Sequence, residues 1–178
     1  EAGEAVLSGL GEDFSLLTTQ VLPPVEDFPR ILPVPMLVRE PAVYYAPGPA
    51  LMKFGPAEGV AAIDLPSPAL EISGSHPHAV PRLAIGMENG GCLYYEGGSD
   101  RLDRFASDLE QPHVAFTSSG SLVAAARGRI EIYRAGGAHP TLEHSLDGPL
   151  TPRAVLPADD ARHFAVCTAE GVHLYRTP

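Results

Sequence analysis

The chain has 178 residues, 12 Lys plus Arg against 22 Asp plus Glu for a net charge of −10, and 44% hydrophobic residues. Its 18 glycines and 19 prolines interrupt nearly every helix-length window, which excludes a helical bundle or coiled coil, and no apolar run approaches the roughly 20 residues of a membrane-spanning helix. Lys53 is the sole lysine and no basic stripe is present, so nucleic-acid and anionic-membrane binding are excluded as expectations, and a turn-rich, all-β domain is expected.

In chain order, residues 1–40 form an acidic, proline-rich segment with seven acids against Arg30 and Arg39. Its best strand is Phe14–Leu22, FSLLTTQVL. From residue 41 onwards the chain repeats. Pro41-Ala42-Val43-Tyr44, Pro77-His78-Ala79-Val80, Pro112-His113-Val114-Ala115 and Pro152-Arg153-Ala154-Val155 share one pattern at spacings of 36, 35 and 40 residues. A second block follows each: Gly59–Asp64, Gly91–Glu96, Arg129–Arg134 and Gly171–Arg176. Fixed order of two blocks defines four units, 41–76, 77–111, 112–151 and 152–178.

Each unit reads as strand, turn, strand, turn, strand. In the third, Val114–Phe116 is followed by the turn Thr117-Ser118-Ser119-Gly120. Leu122–Ala126 is a small-residue strand, Arg127-Gly128 a tight hairpin turn, and Ile130–Tyr133 alternates with period two. The fourth unit has the same plan, with turns at Asp159-Asp160 and Glu170-Gly171. The first unit turns at Pro47–Pro49 and Gly55–Gly59, the second at Glu88–Gly91. Leu70–Ser73 and Thr141–Ser145 are expected as outer strands of the first and third units. In the second unit, Leu102, Phe105 and Leu109 after Asp100 read as a short amphipathic helix. The fourth unit ends after its third strand, so Phe14–Leu22 is expected to close the set from the N-terminus.

Residues 112–134, and less closely 152–176, resemble a WD40-type β-propeller blade: an apolar pair, a Ser/Gly turn, a small-residue strand, a short turn and a strand ending in an aromatic. The Trp-Asp ending is replaced by Tyr133-Arg134 and Tyr175-Arg176, and the opening Gly-His pair is missing. The resemblance implies a small or partial β-propeller of about four WD40-like blades, each three- to four-stranded. It also implies that blade openings and the turns between second and third strands share one end. There Ala42, His78, His113 and Arg153 would gather, ringed by Glu58, Asn89, Arg127 and Glu170. Variable polar tips on a regular scaffold are where binding resides.

No nucleophile elbow, Walker loop, zincin or Cys-x-x-Cys motif occurs. His76/His78 and His139/His144 lack the further ligands of a metal site. Asp159-Asp160 reads as a turn. In Tyr44-Tyr45 and Tyr94-Tyr95, alternation puts one ring in the core and leaves the other free. Cys92 and Cys167 read as buried apolar residues in a reducing compartment. The expected function is therefore non-enzymatic: a cytoplasmic scaffold presenting a propeller face to protein partners, with no cofactor or metal. The alternatives are a propeller acting on a carbohydrate or nucleotide at the channel mouth, and a structural domain whose ring is completed by a second copy or another chain.

Overall fold

The computed structural model describes residues 5–10, 16–22, 35–39, 42–55, 59–75, 80–97, 101–135, 139–158, 160 and 162–177. The chain divides into two compact units, Glu1–Leu32 and Pro33–Pro178. In the first, β1 (Ala5–Leu10) and β2 (Leu16–Leu22) form an antiparallel hairpin. The second consists of four antiparallel sheets.

Sheet one joins β3 (Met36–Arg39), β4 (Ala42–Gly48), β5 (Ala50–Gly55) and β6 (Gly59–Asp64). Sheet two joins β7 (Ala69–Gly74), β8 (Arg82–Met87), β9 (Cys92–Glu96) and β10 (Arg101–Phe105). Sheet three joins β11 (His113–Phe116), β12 (Ser121–Ala126), β13 (Arg129–Arg134) and β14 (Thr141–Asp147). Sheet four has β15 (Pro152–Pro157), β16 (His163–Thr168) and β17 (Val172–Arg176). Each sheet is a meander, and the sheets pack face to face in chain order.

Three apolar layers fill the spaces between sheets. Tyr44 and Leu51 meet Leu83, Ile85 and Tyr95 between sheets one and two. Cys92, Tyr94 and Phe105 meet Val114, Leu122 and Tyr133 between two and three. Val123, Ala125, Ile130 and Ile132 meet Val155, Phe164 and Val166 between three and four. An inner sheet is thus covered on both faces, which is why β12 reads as the unbroken run Leu122–Ala126 rather than as an alternation. Small residues let neighbouring sheets approach. At Gly86 on β8 an added Cβ would lie 2.2 Å from the Pro112 carbonyl oxygen.

The expected all-β class and four units are present, and the third unit matches strand for strand. Its turns are where expected: Gly120 and Gly128 have φ of +85° and +81°, the left-handed region that glycine enters at no steric cost. The first two units need correction. The first sheet opens at Met36, so Pro41–Tyr44 runs into the second strand and Gly59–Asp64 is the outer strand rather than the third. Leu70–Ser73 is part of β7, the opening strand of sheet two, and pairs with β8. Pro77–Ala79 lies outside the described residues, between β7 and β8. The Pro-x-[Ala/Val] pattern marks blade openings only at Pro112 and Pro152.

Residues 101–105 are strand and not helix. Arg101–Phe105 pairs with Glu96–Cys92, and backbone pairing satisfies the far edge of buried β9. The periodicity of Leu102 and Phe105 is met by opposite faces instead: Leu102 packs towards sheet one and Phe105 towards sheet three. Leu16–Leu22 pairs with Ala5–Leu10, and the sheet β15-β16-β17 has three strands among the described residues.

Both tyrosine pairs are also corrected. Tyr44, Tyr45, Tyr94 and Tyr95 are all buried. Tyr95 faces Tyr44 edge-on at 5.9 Å, while Tyr94 points to the other layer. Cys92 is buried as expected, but Cys167 is half-buried; both are free thiols.

Candidate functional site: a cleft at the second-to-third strand turns

The turns between second and third strands are tied to the connectors that lead to the next blade. Gly91 N–H donates to the Leu109 carbonyl at 2.7 Å, and Gly128 N–H donates to the Leu150 carbonyl at 2.8 Å. Leu65 N–H donates to the Pro49 carbonyl at 3.0 Å in sheet one. These bonds bring the β8–β9 turn, the β12–β13 turn and the connectors before β11 and β15 to one end of the molecule.

An open cleft of about 640 Å³ lies there. Asn89, His113 and Arg127, three of the residues expected from the sequence, line it. Sequence reasoning missed Glu88, Glu110, Gln111 and Thr151 on the same walls. Gln111 and nearby Ala106 have φ of +44° and +46°, a conformation that costs a non-glycine residue on the order of 1–3 kcal/mol. The connector holding Gln111 and Glu110 follows the segment read as a helix, so its residues carried no loop signal. Arg127, Glu110 and Ala126 also line an adjoining cleft of about 380 Å³.

His113 is anchored from behind. Its Nδ1 lies 3.2 Å from Glu71 Oε2 on β7, and the same oxygen accepts Val114 N–H at 3.2 Å. Ser73 Oγ accepts Phe116 N–H at 3.0 Å. Blade two therefore meets blade three through side chains that take up N–H groups of its opening strand. Asn89 N–H in turn donates to Ser67 Oγ at 3.4 Å, and Glu88 N–H donates to the Pro68 carbonyl at 3.0 Å.

The other expected residues do not join this group. Arg153 is exposed where the β15–β16 register shifts between Pro152 and Ala154. By register Ala154, not Arg153, takes the place of His113: Ala154 pairs with Cys167 as His113 pairs with Ala125. Glu170 is exposed in the β16–β17 turn, away from the cleft walls. Ala42 is buried in β4. Glu58 and His78 lie outside the described residues. Asp160 has the turn role expected of it: its Oδ1 accepts Arg162 N–H at 3.1 Å and His163 N–H at 3.0 Å. Hydrogen bonding by the His163 ring, first, and then by these amides holds its carboxyl below the usual range.

No family model and no curated protein matches the sequence. Solved structures do match. The structure of BBS1N in complex with ARL6DN covers 97% of this chain and 65% of its own, at 14% identity and a TM-score of 0.64. Streptogramin B lyase covers 99% and 63%, at 14% identity and a TM-score of 0.64. A functionally unknown protein from Desulfotomaculum acetoxidans covers 97% and 59%, at 14% identity and a TM-score of 0.71. The chain is a partial β-propeller. It spans less than two thirds of each of these solved chains. Likeness at this identity concerns the fold; one of these proteins is described in a complex with another protein and one as a lyase. No helix among the described residues is long and apolar enough to cross a membrane.

Proposed function

We propose that this propeller is a non-enzymatic, cytoplasmic protein-interaction module of WD40-like type, presenting the cleft end to a partner within a larger assembly. The observation that carries this reading is the convergence of Asn89, His113 and Arg127 from three different elements on one open cleft. Its walls mix carboxylates, amides, an imidazole and a guanidinium, which suits hydrogen bonding and ion pairing with an exposed polypeptide. The likeness to BBS1N, described in complex with ARL6DN, adds support.

The test is affinity capture with the wild-type chain, the Asn89→Ala/Arg127→Glu double variant and Glu170→Ala. Partners retained by wild type and Glu170→Ala are expected to be lost by the double variant. Retention of every partner by the double variant would refute the reading. The likeness to a lyase and the imidazole in the cleft favour a second reading, a propeller acting on a carbohydrate or nucleotide at this mouth. A thermal shift produced by sugars or nucleotides, and lost in His113→Ala, would select it.

A further inference from the structure

The connector between blades two and three, residues 106–111, is built unlike the one between blades three and four, residues 148–151. Both are stapled to a hairpin turn through the backbone, Leu109 accepting Gly91 N–H and Leu150 accepting Gly128 N–H. The later connector is held further by its own backbone: Gly148 N–H donates to the Gly128 carbonyl and Leu150 N–H to the Gly148 carbonyl. The earlier one carries strain and a charge instead. Ala106 and Gln111, at its two ends, are the non-glycine residues with positive φ among those described, at +46° and +44°. Side chains rarely adopt that conformation, and it persists only where surrounding contacts impose it.

Both flanks of the connector are fixed. Phe105 pairs with Cys92 on β9, and Val114 N–H donates to Glu71. Between them Leu109 is buried in the layer between blades two and three, and its N–H closes a turn on the Ala106 carbonyl at 3.2 Å. The outer tie is Asp108, whose Oδ2 accepts from Arg129 Nη1 at 2.9 Å. Arg129 is itself held to blade three. Its Nε donates to Asp147 Oδ1 at 3.1 Å, and its Nη1 lies 3.6 Å from the buried carboxylate of Glu131. The guanidinium therefore keeps its place when Asp108 leaves. The Asp108 side chain is 66% exposed, so water replaces its partner readily, and an ion pair of this kind is weak and screened by salt.

We propose that residues 106–111 form a strap that opens and closes one wall of the cleft, with Arg129 as the fixed post and Asp108 as the releasable catch. Shut, the strap holds Glu110 and Gln111 on the wall. Glu110 lines both the main cleft and the adjoining one, with Ala126 and Arg127 as the other shared residues. Opening swings the strap about Ala106 and Gln111, releases the strain at both and merges the two clefts beside Arg127. A few terminal positions that absorb the backbone change are what a hinge requires. Burial of Leu109 opposes opening, so the shut form predominates. The strap then sets how wide a cleft a partner meets, a consequence that rests on the cleft being the docking site.

The test is amide hydrogen exchange of the whole chain, resolved by NMR, because Gly91 N–H exchanges when its bond to Leu109 opens. High salt or Asp108→Ala is expected to speed exchange at Gly91 about two- to fivefold, the scale of one exposed ion pair. In Asp108→Ala, salt should have no further effect there. Gly128 N–H, bonded to Leu150, should keep its rate throughout. Gln111→Gly, which removes strain from the shut form, should slow Gly91. Asp108 and Gln111 are both exposed, so these variants fold. An unchanged Gly91 rate in Asp108→Ala, an equal rise at Gly91 and Gly128, or faster exchange at Gly91 in Gln111→Gly would each overturn the strap. Exchange is read without a partner, so its failure leaves the docking reading standing, and failure of affinity capture leaves the strap standing.

Discussion

One oxygen of Glu71 serves two residues of the next blade: it accepts Val114 N–H at 3.2 Å and lies 3.2 Å from His113 Nδ1. The same carboxylate thus joins blade two to blade three and orients a side chain of the cleft. Val114 is fully buried, so the N–H that Glu71 takes up has no ready access to water.

Glu71→Ala is expected to lower stability by about 1–3 kcal/mol, the cost of leaving a buried donor unsatisfied. Glu71→Gln, which keeps an accepting oxygen, should lose less. By contrast Arg127→Ala, at an exposed turn, should change stability by no more than about 0.5 kcal/mol. Urea unfolding compares the three. Equal midpoints for wild type and Glu71→Ala would show that the brace carries no net energy.

Gly86→Ala is expected to destabilise by about 1–3 kcal/mol or more, because its Cβ meets backbone rather than a movable side chain. Gly148→Ala is the matched control, since an added Cβ there meets nothing within 4 Å. Thermal unfolding of both distinguishes close blade contact from a general intolerance of alanine. A Gly86→Ala chain as stable as Gly148→Ala would mean the blades have room to separate.

Between blades two and three, Tyr133 Oη donates to Glu131 Oε2 at 2.5 Å in a buried setting, and Arg129 Nη1 lies 3.6 Å from Glu131 Oε1. Tyr133→Phe removes a hydrogen bond to a carboxylate and should cost about 1.5–3 kcal/mol. Tyr133→Phe combined with Glu131→Gln should cost less than the sum of the two single changes, because the second removes the charge that the first leaves short of a donor. A double-mutant cycle with zero coupling would contradict this.

Alkaline pH should unfold the protein through its buried phenols and the buried Cys92 thiol. Burial, then the hydrogen bond to Glu131, raises the Tyr133 phenol, and burial raises Tyr45 and Tyr94. Burial, then the negative charge of Glu131 and Glu71, raises the Cys92 thiol. Each group holds its proton more tightly folded than unfolded. Above the unfolded values of about 8.5 for Cys and about 10 for Tyr, the unfolded chain binds fewer protons, so stability falls as pH rises. Their stabilising effect is fully present below those values. Urea midpoints and tyrosinate absorbance should move together in this range. Ionisation of all six tyrosines at the ordinary value in the folded chain would refute the burial argument.

Legibility varied along the chain for identifiable reasons. Unit three was fully readable because its opening strand, its Ser/Gly turn and its outer strand each carry a distinct local signal. Unit one was read one strand late: Met36–Arg39 is a four-residue strand behind a proline-rich stretch, while Pro41–Tyr44 copies the opening pattern inside the second strand. The cleft was half legible. Asn89 and Arg127 occupy hairpin turns that glycines announce, but Gln111 and Glu110 sit on a connector whose sequence mimics a helix. Arg153 was misplaced by the register shift before Ala154, because slipping one residue exchanges the two faces of a strand.

By itself the sequence determined the all-β class, the number of sheets in the repeat region and the strands and turns of the third and fourth units, since alternation, β-branched runs and glycine turns act over a few residues. Only the tertiary structure decided which strand opens each blade, which face meets which neighbour and which turns meet at the cleft. A meander of similar strands looks alike when shifted by one strand, so local preference cannot set the boundary. The boundary is set by which opening strand can lie against the next, as Glu71 on Val114 and Gly86 against Pro112 show.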